Sequence, residues 1–157
     1  MVQLNHLKSS KELKSMFKIR IPQASDYNEI NHLFHSKENM HLADNDSIIE
    51  EDFYKESLSE TTSKWFIIEK SGEVLAFIFF TIDTDSKGIK VKKFTINNTY
   101  RKKGLNEHLY KKLEQVASQN DLVYMQVEIS PDYLDVIDFF TRKGWIKENN
   151  CYVKYIK

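Results

Sequence analysis

Two kinds of hydrophobic periodicity occur along the chain, and each predicts its own type of element. Apolar residues alternate with polar ones at residues 17–21, as in a half-buried strand, and Pro22 ends that strand. Runs rich in aromatic and β-branched residues, separated by turn residues, predict six more strands. The seven predicted strands are residues 17–21, 65–68, 74–82, 89–96, 122–129, 145–148 and 151–156.

Helical spacing of apolar residues predicts four helices between these strands. Asp26 and Ser47, each followed three residues later by a glutamate, mark the starts of the first two. Leucines on one face predict the third helix over about residues 104–119. Ser130 is the expected cap of a fourth helix at residues 131–142.

The order of these elements, β-α-α-β-β-β-α-β-α-β-β, predicts a mixed sheet with helices against its faces. The chain has 157 residues, of which 41% are hydrophobic and 29% are charged, so it can build one core and is not of the disordered class. We therefore expect a single α/β domain at residues 17–157, preceded by a polar extension at residues 1–16.

Composition and charge argue against several classes of protein. The 23 basic residues equal the 23 acidic ones, so no overall field recruits nucleic acid or an anionic membrane surface. The longest apolar run, at residues 74–80, is far shorter than the roughly twenty residues of a membrane span. The N-terminus has no apolar block typical of a secretory signal, and the single Cys151 cannot form an internal disulfide, so we expect a cytoplasmic protein.

Charges are nevertheless distributed unevenly along the chain. Residues 87–112 hold nine Lys or Arg against the single acid Glu107, whereas residues 44–60 hold seven acids against Lys55. This asymmetry favours an anion bound on one side of the domain and a cation on the other. The alternative is that both stretches are only solvated faces.

The basic stretch contains a turn whose chemistry suits phosphate groups. Gly104 follows Arg101, Lys102 and Lys103, between a predicted strand and a predicted helix. The free amides at a helix start and the positive end of the helix dipole attract anions. The three cationic side chains favour a ligand with more than one phosphate. The chain has neither GxxxxGK(S/T) nor GxGxxG, so ATP and NAD are not expected.

This turn resembles the acetyl-CoA motif of the GCN5-related N-acetyltransferase (GNAT) superfamily. That motif reads Arg or Gln, two residues, Gly, one residue, then Gly or Ala, and residues 101–106 match it except at Asn106. The family's next signature, an aromatic pair before Gly-aromatic, is similar to residues 139–145, Phe-Phe-Thr-Arg-Lys-Gly-Trp. The resemblance covers nearly all of residues 16–157, and the element order also matches.

The resemblance implies a fold and a co-substrate. The fold is a mostly antiparallel sheet of about seven strands, with a splay between the fourth and fifth, flanked by about four helices. Acetyl-CoA is the implied co-substrate. Backbone groups of Phe94, Thr95 and Ile96 would meet its pantetheine arm. The implied pyrophosphate site comprises Arg101, Lys102, Lys103, Gly104, Leu105 and Asn106.

Catalytic candidates come from the fourth predicted helix and the end of the fifth predicted strand. Many relatives carry a Tyr on this helix that protonates the departing thiolate. In this chain the corresponding position is Phe140, which has no proton to give. The resemblance implies that Phe140 and Tyr133 flank the thioester. Tyr133 is the candidate acid, or else a packing residue. Glu128 is the candidate base for the amine, or else a surface carboxylate. Asp83 and Asp85 are further candidates of lower rank.

Metal binding is not expected from this sequence. His32 and His35 are one helical turn apart and His41 follows, but no cysteine or acid completes a ligand set. We therefore interpret the three histidines as exposed helix residues. Cys151 has no partner base in the sequence and is interpreted as a packing residue.

The resulting hypothesis is transfer of acetyl from acetyl-CoA to a primary amine in a ternary complex. The acidic stretch at residues 44–60 favours a cationic small molecule or a peptide amine as acceptor. The alternative, based on Phe140 and Asn106, is a CoA-binding sensor or interaction module without catalysis. Nucleic-acid binding through residues 87–112 is the least favoured hypothesis. A homodimer through the terminal hairpin is compatible with the resemblance.

Overall fold

A sheet of eight strands forms the centre of the described part of the chain, which is residues 17–43 and 48–156 of a computed structural model. The predicted extension at residues 1–16 and the predicted cap Ser47 lie outside the described residues. The strands are β1 (Phe17–Arg20), β2 (Met40–His41), β3 (Ser63–Lys70), β4 (Glu73–Asp83), β5 (Gly88–Ile96), β6 (Tyr124–Val127), β7 (Ile146–Glu148) and β8 (Cys151–Tyr155). The helices are α1 (Tyr27–His35), α2 (Glu51–Ser57), α3 (Leu105–Gln119) and α4 (Leu134–Arg142).

Helices pack on this sheet, whose strand order is β1-β3-β4-β5-β6-β8-β7. Neighbouring strands are antiparallel except β5 and β6, which are parallel and connected through α3. One core, with residues of α1 and α2, includes Trp65, Phe77 and Phe79, and another, with residues of α3 and α4, includes Phe94 and Phe140. The predicted α/β class and mostly antiparallel sheet are confirmed. Among the described residues, no helix has the length and hydropathy needed to cross a bilayer.

β5 and β6 separate half-way along β5. Residues 88–91 of β5 pair in parallel with the whole of β6, which ends at Val127, whereas β5 continues to Ile96. These are the fourth and fifth predicted strands, so the predicted splay is confirmed.

A β-bulge lies in β5 where the two strands separate. Phe79 of β4 pairs with Lys93, whereas the next residue, Phe80, pairs with Val91. Lys92 is therefore an extra residue without a partner in β4. A bulge of this kind bends its strand and increases the local twist, which helps β5 to turn away from β6.

The strand β2 is absent from the sequence prediction. Met40 and His41 pair antiparallel with Ile96 and Thr95, along the part of β5 that β6 does not cover. Two residues are too few to show an alternating pattern, so the sequence contains no usable signal for this strand. The sheet thus has one strand more than the seven predicted.

The interpretation of His41 as an exposed helix residue is wrong, because it lies on β2 and is only 9% exposed. Its Nδ1 is 2.9 Å from the Thr95 hydroxyl, and its Nε2 is 3.0 Å from the Ser36 carbonyl oxygen. Burial, together with the charge of Lys93, lowers the pKa of His41, so the ring is neutral at pH 7. His32 and His35 are exposed on α1, as predicted.

The ends of two elements differ from the prediction for local reasons. α4 begins at Leu134 and not at residue 131, because residues 130–133 fold into a turn closed by the Tyr133 amide and the Ser130 carbonyl at 3.0 Å. Tyr133, and not Ser130, is the N-cap. β1 ends at Arg20, one residue early, because the next position precedes a proline, which has no amide to continue the ladder. The other predicted strands and the third helix agree with the structure to within two residues at each end.

The start of α1 lies at Asp26, as predicted, but the Asp26 side chain makes no cap hydrogen bond to the helix and belongs to an ion-pair network. Asp26 ends a 3₁₀ turn at Ala24–Asp26, and its carboxylate accepts the Gln23 amide at 2.7 Å. Arg20 donates to both Asp26 oxygens, at 2.8 and 2.9 Å, and its Nε donates to Glu69 at 2.9 Å. The Arg20 guanidinium lowers the pKa of Asp26. This network ties β1, β3 and the entry of α1 together.

Replacing Arg20 with methionine is expected to destabilise the fold by about 2 kcal/mol at pH 7, because the nearly buried Asp26 carboxylate loses its charged partner. A carboxyl group with a lowered pKa in the folded state stabilises the fold above its unfolded pKa of about 4, and this stabilisation is lost as the pH falls through the folded pKa. The parent and Arg20→Met should therefore converge in acid. Urea unfolding at pH 7 and at pH 3 measures the difference.

The matched control is Lys55→Met, which breaks the exposed pair between Lys55 and Glu51, 2.9 Å apart. Exposed pairs contribute little, so its unfolding midpoint is expected to stay unchanged. If Arg20→Met lost the same stability at both pH values, packing of the arginine stem, and not the ion pair, would explain the effect.

Candidate active site

The basic turn, residues 101–104, connects β5 to α3 and is shaped by its own backbone. Asn98–Tyr100 form a 3₁₀ turn before it, where the Asn97 side chain accepts the Thr99 amide at 2.9 Å. Gly104 has a φ of 77°, in the left-handed region that glycine enters without strain. Apart from its chain neighbours, the described residues place no heavy atom within 4 Å of where a Cβ on Gly104 would stand. The start of α3 is therefore open.

The N-terminal end of α3 has amides available for a ligand. The first helical bond runs from the His108 amide to the Gly104 carbonyl at 3.2 Å, so the amides of Leu105 and Asn106 come before the helical ladder. The three basic residues that precede Gly104 are exposed, and Asn106 is half-buried. Amides outside the ladder, the positive end of the helix dipole and mobile cations together form a site for a polyanion.

Two ion pairs connect this region to α4. Arg101 lies 3.5 Å from Asp135, with both side chains exposed, and Lys143 pairs with Glu107 in the first turn of α3. The Lys143 ammonium also lies 5.1 Å from the centre of the Tyr110 ring. These contacts place the ends of α4 beside the basic turn and the start of α3.

The strand segment assigned to the pantetheine arm is covered in this structure. Phe94, Thr95 and Ile96 are all buried, and β2 runs along their edge of β5. The Leu42 amide donates to the Phe94 carbonyl at 2.6 Å. One residue before β2, the Asn39 side chain accepts the Asn98 amide at 2.9 Å. Backbone groups along this edge of β5 thus already form hydrogen bonds with β2 and the residues beside it.

Phe140 and Tyr133, the two α4 candidates, lie in different surroundings. Phe140 has no exposed surface and packs edge-on against Trp145 and Phe94, with ring centres 4.9 and 6.5 Å apart. Tyr133 precedes α4 and is 41% exposed, so it is not a packing residue. A phenyl ring in the core cannot supply a proton, whereas the Tyr133 hydroxyl belongs to an exposed side chain.

The larger cavity, of about 700 Å³, lies where β5 and β6 separate. Glu128, an exposed residue directly after the end of β6, lines this cavity. Val91 and Val127 are the last parallel partners, so Lys92 and Glu128 are the first residues of the two segments after the separation. Of the acids in the described part of residues 44–60, only Glu50 lines this cavity. A carboxylate therefore stands at the splay, as expected for Glu128.

A smaller cavity, of about 360 Å³, lies beside β2 and the start of α4, and its lining includes Tyr133 and Arg101. Glu128 and Tyr133 thus line different cavities. Asp83, the last residue of β4, and Asp85, in the β4–β5 turn, line neither cavity. The Asp83 carboxylate accepts the Asp85 and Ser86 amides, and its bonds to Ser86 lower its pKa, so it is a turn residue.

Cys151 is half-buried at the start of β8, and burial, followed by the charges of Glu128 and Glu148, raises the pKa of its thiol. It is therefore a poor nucleophile. Within the described ranges, no group of three or more His, Cys, Asp or Glu residues is placed to hold a metal ion.

Sequence reasoning did not identify the wall of the larger cavity. Phe53 and Phe79 line it together with Ile48, although Phe79 belongs to a run that reads as core. The sequence holds no signal that brings α2, β4, β5 and β6 to one cavity, because their separations along the chain are long. The basic turn, in contrast, is contiguous and could be recognised directly.

A family model described as the acetyltransferase (GNAT) family matches residues 25–145 of the chain. Solved structures share the fold at low sequence identity. One is the ribosomal-protein-S18-alanine N-acetyltransferase from Escherichia coli, with a TM-score of 0.74 and 11% identity, covering 90% of this chain and 95% of that one. A search of curated proteins found no match.

Two further solved structures are similar to this chain. The paia N-acetyltransferase from Thermoplasma acidophilum, solved in complex with coenzyme A, has a TM-score of 0.71 and 11% identity, covering 87% of this chain and 96% of that one. The spermidine/spermine N-acetyltransferase SpeG from Vibrio cholerae has a TM-score of 0.68 and 10% identity, covering 88% and 94%. The family match spans most of the chain and agrees with the splayed sheet and the basic turn, so this chain belongs to the GNAT acetyltransferase family.

Proposed function

We propose that the protein is an acetyl-CoA-dependent N-acetyltransferase that acts on a primary amine by direct transfer in a ternary complex. The observation that carries the proposal is the basic turn at the open start of α3, which resembles the acetyl-CoA motif of the family. The larger cavity, with Glu128 at the splay, supports it as the place for an acceptor.

Acetyl-CoA would supply an acetyl thioester, the group to be transferred. The basic turn and the amides of Leu105 and Asn106 would hold the pyrophosphate, since they combine positive charge with donors outside the helical ladder. Asn106 is compatible with this role because its own amide is one of these donors. In the overall reaction a C–N bond to the amine forms, the C–S bond of the thioester breaks, and the proton lost by the amine ends on the released thiol.

Glu128 would act as the general base. An alkylammonium with a pKa of about 10 is protonated at pH 7 and cannot attack a carbonyl carbon until it loses a proton. The exposed carboxylate at the end of β6 can accept that proton directly or through water. Tyr133 is the candidate acid, although a thiolate is a weak base that water can also protonate.

The first test is thermal unfolding with acetyl-CoA, free CoA and DNA in parallel, followed by thiol release with a panel of amines. A ligand that binds only the folded state raises the melting temperature, so we expect a rise with both CoA species and not with DNA. Arg101→Glu with Lys103→Glu should weaken CoA binding at least tenfold, because two exposed cations of the phosphate site become anions. The control is Lys18→Glu with Lys147→Glu, which makes the same charge change on exposed residues of β1 and β7.

Three outcomes separate the hypotheses. Stabilisation by CoA with amine-dependent thiol release supports the enzyme. Stabilisation without turnover across the panel would instead support a CoA-binding sensor, the alternative that the buried Phe140 in place of a tyrosine favours. Absence of any stabilisation by CoA species would overturn both.

A further inference from the structure

We infer that the acceptor is an amphoteric amine, an α-amino acid with a large apolar side chain, bound in the larger cavity. The inference rests on the proposed function and concerns the specificity of the same site. It rests on three properties of the cavity: an apolar wall that is partly exposed, a pair of lysines on β5, and glutamates on two of its sides.

The apolar wall is a stack of aromatic rings. Trp65 and Phe79 stack with ring centres 4.2 Å apart, and Phe53 from α2 meets Phe79 edge-on at 5.7 Å. Trp65 and Phe79 are buried, but Phe53 is 49% exposed and Ile48 beside it is 62% exposed. Large apolar side chains left open at the mouth of a cavity are typical of a binding site, because a ligand can remove them from water.

The cations on the other side of the cavity come from β5. Lys93 also lines the cavity but is buried, with its ammonium 4.7 Å from the centre of the Phe34 ring of α1. Lys90 and Lys92 remain at the cavity surface. In the described ranges, no carboxylate lies within 4.0 Å of the ammonium group of either residue. Two such cations favour an anionic group on the ligand.

The described lining of the cavity also contains two acids, Glu50 and Glu128. Glu50 precedes α2, and Glu128 follows β6, one residue after the last pair between β5 and β6. A carboxylate beside the splay suits the amine that is to be acetylated. A polyamine would bring several positive charges to a cavity that already has two accessible lysines, which is unfavourable. Within the described part of the acidic stretch, Glu50 is the acid that reaches this cavity.

An α-amino acid satisfies all three properties at once. Its ammonium group suits Glu128, its carboxylate suits Lys90 and Lys92, and its side chain suits the wall formed by Phe53 and Phe79. The cavity volume of about 700 Å³ is typical of small-molecule sites. An amine without a carboxylate would leave the lysines without a partner, and an amino acid with a small side chain would leave Phe53 in water.

The experiment measures thiol release from acetyl-CoA with four acceptors: phenylalanine, alanine, phenethylamine and spermidine. Phenethylamine is phenylalanine without its carboxylate, and alanine is phenylalanine without its ring. We expect kcat/KM for phenylalanine to exceed that for each of the other three by about tenfold or more, since alanine and phenethylamine each lack one recognised group and spermidine lacks two. Acetylated product is confirmed by mass.

Variants of the cavity assign each contact. Lys92→Gln should lower kcat/KM for phenylalanine about tenfold and leave kcat/KM for phenethylamine unchanged, because only phenylalanine has a carboxylate that this lysine can bind. Phe53→Ala should reduce the preference for phenylalanine over alanine by a similar factor. Lys111→Gln removes a lysine on the exposed face of α3 and is the control for charge alone.

The outcomes distinguish this inference from the proposed function. If spermidine or phenethylamine were the better acceptor, the inference would be wrong while the enzyme assignment stood. If Lys92→Gln affected phenylalanine and phenethylamine equally, carboxylate recognition by this lysine would be excluded. If no amine of any class released thiol, the proposed function itself would fail.

Discussion

A disulfide that holds β2 on β5 is expected to abolish binding of coenzyme A. His41 and Thr95 are direct partners in this antiparallel pair, and their side chains already meet at 2.9 Å. Partners of this kind have Cα atoms about 4.5 to 5.5 Å apart, within the range of a disulfide. We expect the oxidised double variant, His41→Cys with Thr95→Cys, to bind at least 100-fold more weakly than the parent.

The reason is competition for one strand edge. Under the proposed function, backbone groups of residues 94–96 would meet the pantetheine arm, but the Phe94 carbonyl accepts the Leu42 amide and Ile96 pairs with Met40. A ligand can use this edge only after β2 leaves it. Two strand residues are held by few bonds, so displacement is feasible in the parent and prevented by a covalent link.

Reduction supplies the internal control, because the same molecule should recover binding when the disulfide is opened. The experiment is done in a Cys151→Ser background, so that only the introduced pair can oxidise. A second control joins Lys18 and Glu69, partners in β1 and β3, through the same chemistry away from the site. Equal affinity of the oxidised and reduced His41→Cys, Thr95→Cys protein would show that the ligand does not use this edge.

Glu128→Gln is expected to lower kcat about 100-fold at neutral pH. The amide keeps the shape of the carboxylate but cannot accept the proton of the attacking ammonium, and a general base contributes about 10² to 10⁴. As the pH approaches the pKa of the acceptor amine, more amine is already neutral, so the deficit should narrow to less than tenfold. Initial rates of thiol release from pH 6 to pH 10 measure this convergence.

Glu56→Gln is the matched control, since it removes one exposed carboxylate from α2. Its kcat should stay within about twofold of the parent at every pH. If Glu128→Gln raised KM and left kcat unchanged, Glu128 would only attract the acceptor. A deficit that stayed constant across the pH range would also exclude the role of base.

The parts of this fold that could be predicted are those with a pattern in contiguous sequence. The leucines of α3 predict that helix to within a residue, and the basic turn before it is recognisable because its glycine and three cations are adjacent. The α/β class followed from the order of the predicted elements, and the splay followed from the resemblance that this turn supports. Local patterns thus identified the elements and the expected phosphate site.

The parts that could not be predicted depend on contacts between distant segments. β2 has two residues and gains its conformation from β5, more than fifty residues later. Asp26 carries a capping signal, but its carboxylate is taken by Arg20 of the preceding strand. The cavity wall combines residues from α2, β3, β4, β5 and β6, and the ammonium of Lys93, which also lines it, lies beside the Phe34 ring of α1. In each case tertiary contacts, and not local preference, decide the outcome.

The extra residue in β5 also governs which side chains face which layer. Before the bulge, Ile89 and Val91 belong to the core beneath α3 and α4, and after the bulge Phe94 and Ile96 belong to it. The side chains that face this core therefore change from odd-numbered to even-numbered positions. Deleting Lys92 would restore strict alternation and leave Phe94 and Ile96 in the core, but it would remove the bulge and with it the bend of β5 away from β6. We therefore expect this stretch of β5 to tolerate substitutions far better than insertions or deletions.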